Sequence, residues 1–112
     1  MKIKLAYVAG PYRASTEFEI KLNIEMARRI GAGLARKGYY PVIPHSNTSL
    51  FEHLGLPDKF WLDGTLELMR MCDLVVMCPD WQNSEGAKSE YEEAKKLGIP
   101  VYLSLDDVPN AK

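Results

Sequence analysis

Two rhythms of apolar and polar positions alternate along this chain: short continuous apolar runs, and stripes with a helical period. Residues 3–9 (IKLAYVA) form a β-rich apolar run that stops at Gly10-Pro11, the pattern of a buried strand. Thr16 followed three residues later by Glu19 has the capping-box form and opens a long helix. Ile20, Asn23, Ile24, Ala27, Ile30, Gly31 and Leu34 make its stripe, and Gly38 closes it. A second strand covers 39–43 (YYPVI), where Pro41, lacking an N–H, favours a place near the sheet edge. Residues 44–57 read as loop, 58–72 as helix, and 73–78 (DLVVMC) as a third strand. Ser84 is a natural N-cap for a helix reaching about Leu97, with Gly98 at its C-terminal turn and Pro100 as a stop. Residues 101–105 (VYLSL) predict a fourth strand, and the last seven residues read as a loose end.

Strands alternating with helices at this spacing imply right-handed crossovers and a parallel sheet. The expected fold is therefore a single small three-layer α/β domain over residues 1–112, Rossmann- or flavodoxin-like, with four to five parallel strands. Ligands of such sheets bind beyond the carboxyl ends of the strands, near the point where strand order reverses. Loops 10–15, 44–48 and 79–86 are the segments placed there.

Composition narrows the classes of function. With 112 residues, 46% apolar and 26% charged, the chain closes one ordinary core. Fourteen Lys and Arg against fifteen Asp and Glu leave a net charge of −1, without a basic stripe, which argues against a nucleic acid polymer as partner. No apolar run approaches a membrane span and no signal-peptide pattern opens the chain, so a soluble, cytoplasmic protein with no membrane partner is expected. Cys72 and Cys78 have neither C-x-x-C spacing nor matching partners in His45 and His53. They are expected to be reduced core residues, with no metal and no redox cofactor.

The last helix carries the most chemistry. Ala87, Tyr91, Ala94 and Leu97 form its apolar stripe, and Glu90 lies inside that stripe while Glu85, Lys88, Glu92, Lys95 and Lys96 face outward. A buried carboxylate without a partner costs several kcal/mol or has its pKa raised. Glu90 is thus either a functional acid, or a residue at the stripe's edge, or half of an ion pair with Arg13 or Arg70. Ser84 at the helix N-terminus and Gly86 just inside it offer unpaired N–H groups to an anion, or simply an ordinary cap. Arg13, in the loop Gly10-Pro11-Tyr12-Arg13, suits a phosphate or is a solvated loop residue. Asn23 interrupts its apolar stripe and either bonds a strand end or loop backbone or helps shape the site. His45, Ser46 and Asn47 either meet a ligand or form a plain polar loop. The chain has no G-x-G-x-x-G, P-loop or Gly-x-Ser-x-Gly motif, so dinucleotide, P-loop and serine-hydrolase readings are weak.

Taken together, these residues resemble the nucleoside 2-deoxyribosyltransferase superfamily, in particular its small DUF4406-like branch. The resemblance rests on Tyr7-Val8-Ala9-Gly10-Pro11, Pro44-His45 and Cys72-Asp73. Its most specific part is Trp81-x-x-Ser84-x-Gly86-Ala87-x-x-Glu90, followed by Ala94 and Gly98-Ile99-Pro100-Val101. It implies N-glycosidic chemistry, in which the Glu matching Glu90 attacks C1′ of the sugar and displaces the nucleobase, the retaining logic of glycosidases. Tyr7 then matches a tyrosine that orients the carboxylate; strand spacing alone would make it a core aromatic. Ser84, standing where free-nucleoside transferases resemble one another in carrying an acid, and Arg13 look similar to 2′-deoxynucleoside 5′-monophosphate N-glycosidases. Thr65 stands where relatives usually carry an acid eight residues before the Asp matching Asp73, and Asp63 reads as solvated. The resemblance implies a catalytic pair of Glu90 and Tyr7, a substrate-binding set of Gly10, Arg13, Ser84 and Gly86, a nucleotide or nucleoside as ligand, and a homodimer. A deoxyribosyltransferase and a non-catalytic nucleotide-binding module are the alternatives.

Overall fold

The computed structural model describes residues 2–45 and 54–111. Four strands, β1 (Leu5–Ala9), β2 (Tyr40–Val42), β3 (Leu74–Met77) and β4 (Val101–Tyr102), form one parallel sheet in the order β2-β1-β3-β4. Helix α1 (Glu17–Arg36) connects β1 to β2, α2 (Asp58–Arg70) precedes β3, and α3 (Glu85–Leu97) connects β3 to β4. The chain leaves β1 towards β2 on one side and reaches β3 on the other, so strand order reverses between β1 and β3. This is the Rossmann/flavodoxin-like arrangement, with β2 and its Pro41 at the edge.

Side chains of a strand alternate between the two faces of its sheet, and here that alternation divides the core in two. Ala6, Val8, Leu74 and Val76 pack with Ala27, Ile30 and Leu34 of α1. Tyr7, Ala9, Val75 and Met77 pack on the opposite face with Met69, Ala87 and Ala94 of α2 and α3. Tyr7 is therefore committed by its position in β1 to the α3 face, where Glu90 lies.

The helix ends follow their sequence signals. Thr16 caps α1, its Oγ1 accepting from the Glu19 amide at 3.1 Å and donating to the Glu19 carboxylate at 3.2 Å. Ser84 caps α3 by accepting from the Ala87 amide at 3.1 Å, and Gly98 ends it with φ 75°, a conformation that glycine adopts freely. Asn23 donates to the Tyr12 carbonyl at 3.1 Å, tying α1 to the loop after β1. Cys72 and Cys78 are free and buried.

Several boundaries differ from the sequence reading. Helix α2 stops at Arg70, two residues short of Cys72, and Pro44-His45 are helical rather than loop. The fourth strand is only Val101–Tyr102, because Ser104 caps a 3-10 turn (Leu105–Asp107) through the Asp106 amide at 3.2 Å. The last residues are not loose. Val108 is buried in the α1 core, Tyr39 donates its hydroxyl to the Pro109 carbonyl at 2.8 Å, and the Ala111 amide donates to the Lys37 carbonyl at 2.8 Å. A hydrogen bond of this kind is worth about 1 kcal/mol. Tyr39→Phe is thus expected to lower the unfolding free energy by about that much and to speed amide exchange selectively in residues 105–111.

Candidate functional site

The carboxyl ends of β1, β2 and β3 open into a cavity of about 710 Å³. Its walls come from the loop after β1 (Gly10 to Arg13), Pro44-His45 after β2, the segment from Gly55 into α2, and the N-terminal turns of α3. This is the place at which the strand order reverses.

Glu90 lies in the wall of that cavity, 6% exposed, and its carboxylate accepts a hydrogen bond from the Tyr7 hydroxyl. Neither Arg13 nor Arg70 reaches it. Arg70 pairs instead with Glu67 and Glu93 on the outside of α2 and α3. Burial pushes the Glu90 carboxyl up to about 7, with hydrogen bonds from Tyr7 and Thr65 opposing part of the rise. The Tyr7 hydroxyl is raised far above its usual range by burial and then by the Glu90 charge, so it stays protonated and can only donate. Cys78 on β3 is pushed up to about 12, by burial first and then by Glu90, and remains a neutral thiol. Near neutral pH the site thus holds one carboxyl poised between its two forms, with a neutral phenol fixing its orientation.

Ser84 and Gly86 stand at the N-terminus of α3 within the same cavity. Helical geometry leaves the Glu85 and Gly86 amides without acceptors in their own helix. A Cβ built on Gly86 would touch nothing nearer than Ser84 Oγ at 4.0 Å, so glycine here keeps space open rather than relieving a clash. Gly10 differs. A Cβ there would lie 2.5 Å from Cys78 Sγ and closer still to its Cβ, and the Gly10 carbonyl accepts from His45 Nε2 at 3.1 Å. His45 also bonds the Pro11 carbonyl at 2.9 Å, so its Nε2 carries the proton and clamps the loop after β1. Burial lowers its pKa and keeps the ring neutral. Ser46 and Asn47 lie outside the described residues.

The structure brings Glu90, Gly10, Ser84 and Gly86 to the wall of one cavity, with Tyr7 fully buried behind Glu90 and bonded to it; Arg13 lines the cavity on different terms. Its guanidinium is bound to Asp58, at the start of α2, and both side chains are largely exposed. The local charge is therefore balanced rather than cationic. Nothing in the sequence joined Arg13 to Asp58, which reads as an ordinary acid in the first turn of a helix. Asp63 sits outside, paired with Lys59 at 2.7 Å. Leu56, Trp61 and Leu62 supply an apolar wall that the pattern of α2 did not single out.

Over residues 4–104 the chain matches the family described as a domain of unknown function, DUF7768. It belongs to that family. A curated relative, deoxyhypusine hydroxylase of Debaryomyces hansenii, is 26% identical over 116 residues, covering 97% of this chain and 33% of the relative. The chain thus spans about a third of the length of the curated relative it matches. Among the described residues of this DUF7768 member, no three His, Cys, Asp or Glu side chains group as ligands for a metal, and no helix is long and apolar enough to cross a membrane.

Thr65, also in the cavity wall of this DUF7768 domain, tunes its acid. The Thr65 hydroxyl has one proton, which donates to the Leu62 carbonyl at 2.9 Å or turns to the Glu90 carboxylate, and the turned form opposes the rise in the Glu90 pKa. Thr65→Val keeps the shape and removes the donor, so the Glu90 carboxyl is expected to titrate above about 7, with Thr65→Ser restoring it. Carbon-13 NMR of the labelled carboxyl reads the change directly.

Proposed function

We propose that this protein cleaves the N-glycosidic bond of a nucleoside 5′-monophosphate and releases the free base, as a cytoplasmic enzyme. The observation that carries the reading is the buried Glu90 carboxyl, held by Tyr7 in the wall of a cavity large enough for a nucleotide. Glu90 in its ionised form attacks C1′ of the sugar. The C1′–N bond breaks, its electron pair leaves with the base, and the base takes a proton from water entering the open mouth. Water then hydrolyses the glycosyl ester and regenerates the carboxylate. Tyr7 aims one carboxylate oxygen and leaves the other for C1′. Ser84, which spends its lone pair on the Ala87 amide, keeps a hydroxyl proton to donate to the 5′-phosphate beside the α3 amides. Arg13 supplies further donors once the phosphate displaces Asp58.

A non-catalytic nucleotide-binding module is the second reading. Thr65 favours it, because beside Glu90 it offers a hydroxyl rather than a second acid to protonate the departing base, and the other described acids of the cavity wall, Asp58 and Glu85, pair with Arg13 and Lys88. A transfer of deoxyribose to an acceptor base uses the same first step and differs only in what takes the sugar.

The test is chromatographic. The purified protein is incubated with ribo- and deoxyribonucleoside 5′-monophosphates, with and without an acceptor base, beside its Glu90→Ala variant. Free base that forms with the native protein and not with the variant supports the glycosidase. Base exchange that requires an acceptor identifies the transferase. Neither product, with nucleotide bound, leaves the binding module.

A further inference from the structure

Helix α1 carries a second apolar stripe that the fold does not use. Ala27, Ile30, Gly31 and Leu34 face the sheet, whereas Phe18, Leu22 and Met26, four residues apart, line up on the opposite side. Their exposures are 70%, 51% and 38%, so two turns of helix present a continuous row of large apolar side chains to solvent. Single exposed apolar residues need no explanation, but three in register on one helix face do.

The charges beside the stripe indicate what covers it. Along one flank the exposed residues read Glu17, Lys21, Glu25, Arg28, alternating in sign at helical spacing. Reversing this order about a point near Leu22-Asn23 sets Glu17 against Arg28 and Lys21 against Glu25, each opposite its counter-charge. The same reversal sets Phe18 against Met26 and Leu22 against itself. The flank is therefore complementary to its own antiparallel copy, as a two-fold interface requires, whereas a parallel pair would lay this flank against the partner's other flank and leave the complementarity unused. A membrane surface fits less well, since Glu17, Glu19 and Glu25 stand where an anionic bilayer would need basic residues.

We propose that α1 is a homodimer interface, in which two copies of this chain pair their α1 helices antiparallel about a two-fold axis near Leu22. This proposal is independent of the chemistry assigned to Glu90, because none of these residues lines the cavity.

Sedimentation of the full chain across micromolar concentrations tests it. The native protein is expected to dimerise reversibly, and Phe18→Glu and Leu22→Glu each to weaken the dimer by about 30-fold or more. Both side chains are exposed, so circular dichroism should be unchanged in the variants. Lys21→Glu should weaken the dimer and the exchanged pair Lys21→Glu with Glu25→Lys should restore it. Under mild oxidation Leu22→Cys should cross-link between copies, while Lys96→Cys on α3 should not. A native protein that stays monomeric overturns the proposal. So does a dimer indifferent to Phe18→Glu, or one in which the cysteine at 22 cross-links no faster than that at 96.

Discussion

Glu90→Gln is expected to stabilise the protein above pH 7 while abolishing the base release proposed for it. Unfolded, this carboxyl titrates near 4.5; folded, burial raises it to about 7. Between those values the folded state holds a proton that the unfolded state has lost. Native stability is therefore fully present below about pH 4.5 and falls as pH rises through 7. The displacement corresponds to roughly 3 kcal/mol, on the order of 10 °C in the melting temperature of a domain this size. Glutamine keeps an acceptor for the Tyr7 hydroxyl and never ionises, so this fall should disappear from thermal melts recorded between pH 5 and 8. Its neutral amide cannot attack C1′, and base release should drop by at least about 10³-fold. A variant that melts like the native protein at every pH would mean that Glu90 is solvated in the folded state. Opposite signs of the two effects would mark Glu90 as an acid retained for chemistry at a cost in stability.

Gly10→Ala is expected to be the most damaging small substitution at the site. The added methyl would overlap Cys78, whose amide is already fixed to the Ala9 carbonyl at 2.7 Å, so neither backbone can retreat easily. Overpacking of this kind costs about 1–3 kcal/mol. The shift would also move the carbonyl that His45 holds, and with it the loop that carries Arg13. Urea denaturation should show a lower midpoint with an unchanged slope. Cys78→Gly should recover part of the loss in the double variant, because it removes the atoms that the new methyl meets. Additivity of the two substitutions would place the damage elsewhere.

How much of this was legible beforehand depended on how far apart the interacting residues lie. The caps at Thr16 and Ser84 are local, completed within three residues, and the sequence pattern places both where the structure has them. The inward aim of Glu90 follows from a helical stripe, and the facing of Tyr7 from the alternation of a strand. Their meeting requires only that β1 and α3 share a face. The Arg13–Asp58 pair is of another kind. It joins a loop to a helix start 45 residues away, and no periodicity relates them. The end of β4 misled for a local reason: VYLSL has strand composition throughout, but Ser104 turns the backbone away after Tyr102. The polar tail misled because its anchors, Lys37 and Tyr39, belong to a segment about 70 residues earlier.

That anchoring has a consequence for synthesis. The core between α1 and the sheet joins Ala6, Val8, Ala27, Ile30, Leu34 and Tyr39 from the first half of the chain to Leu74, Val76 and Cys78 in and after β3, and Val108 also sits inside it while residues 109 and 111 hold its rim. While the chain is being made, Ala27, Ile30 and Leu34 can find β1 early, but that side of the sheet stays unsealed until residues 105–111 emerge from the ribosome. A nascent chain stalled before residue 105 should therefore be cut by protease within α1, and one released past residue 111 should resist.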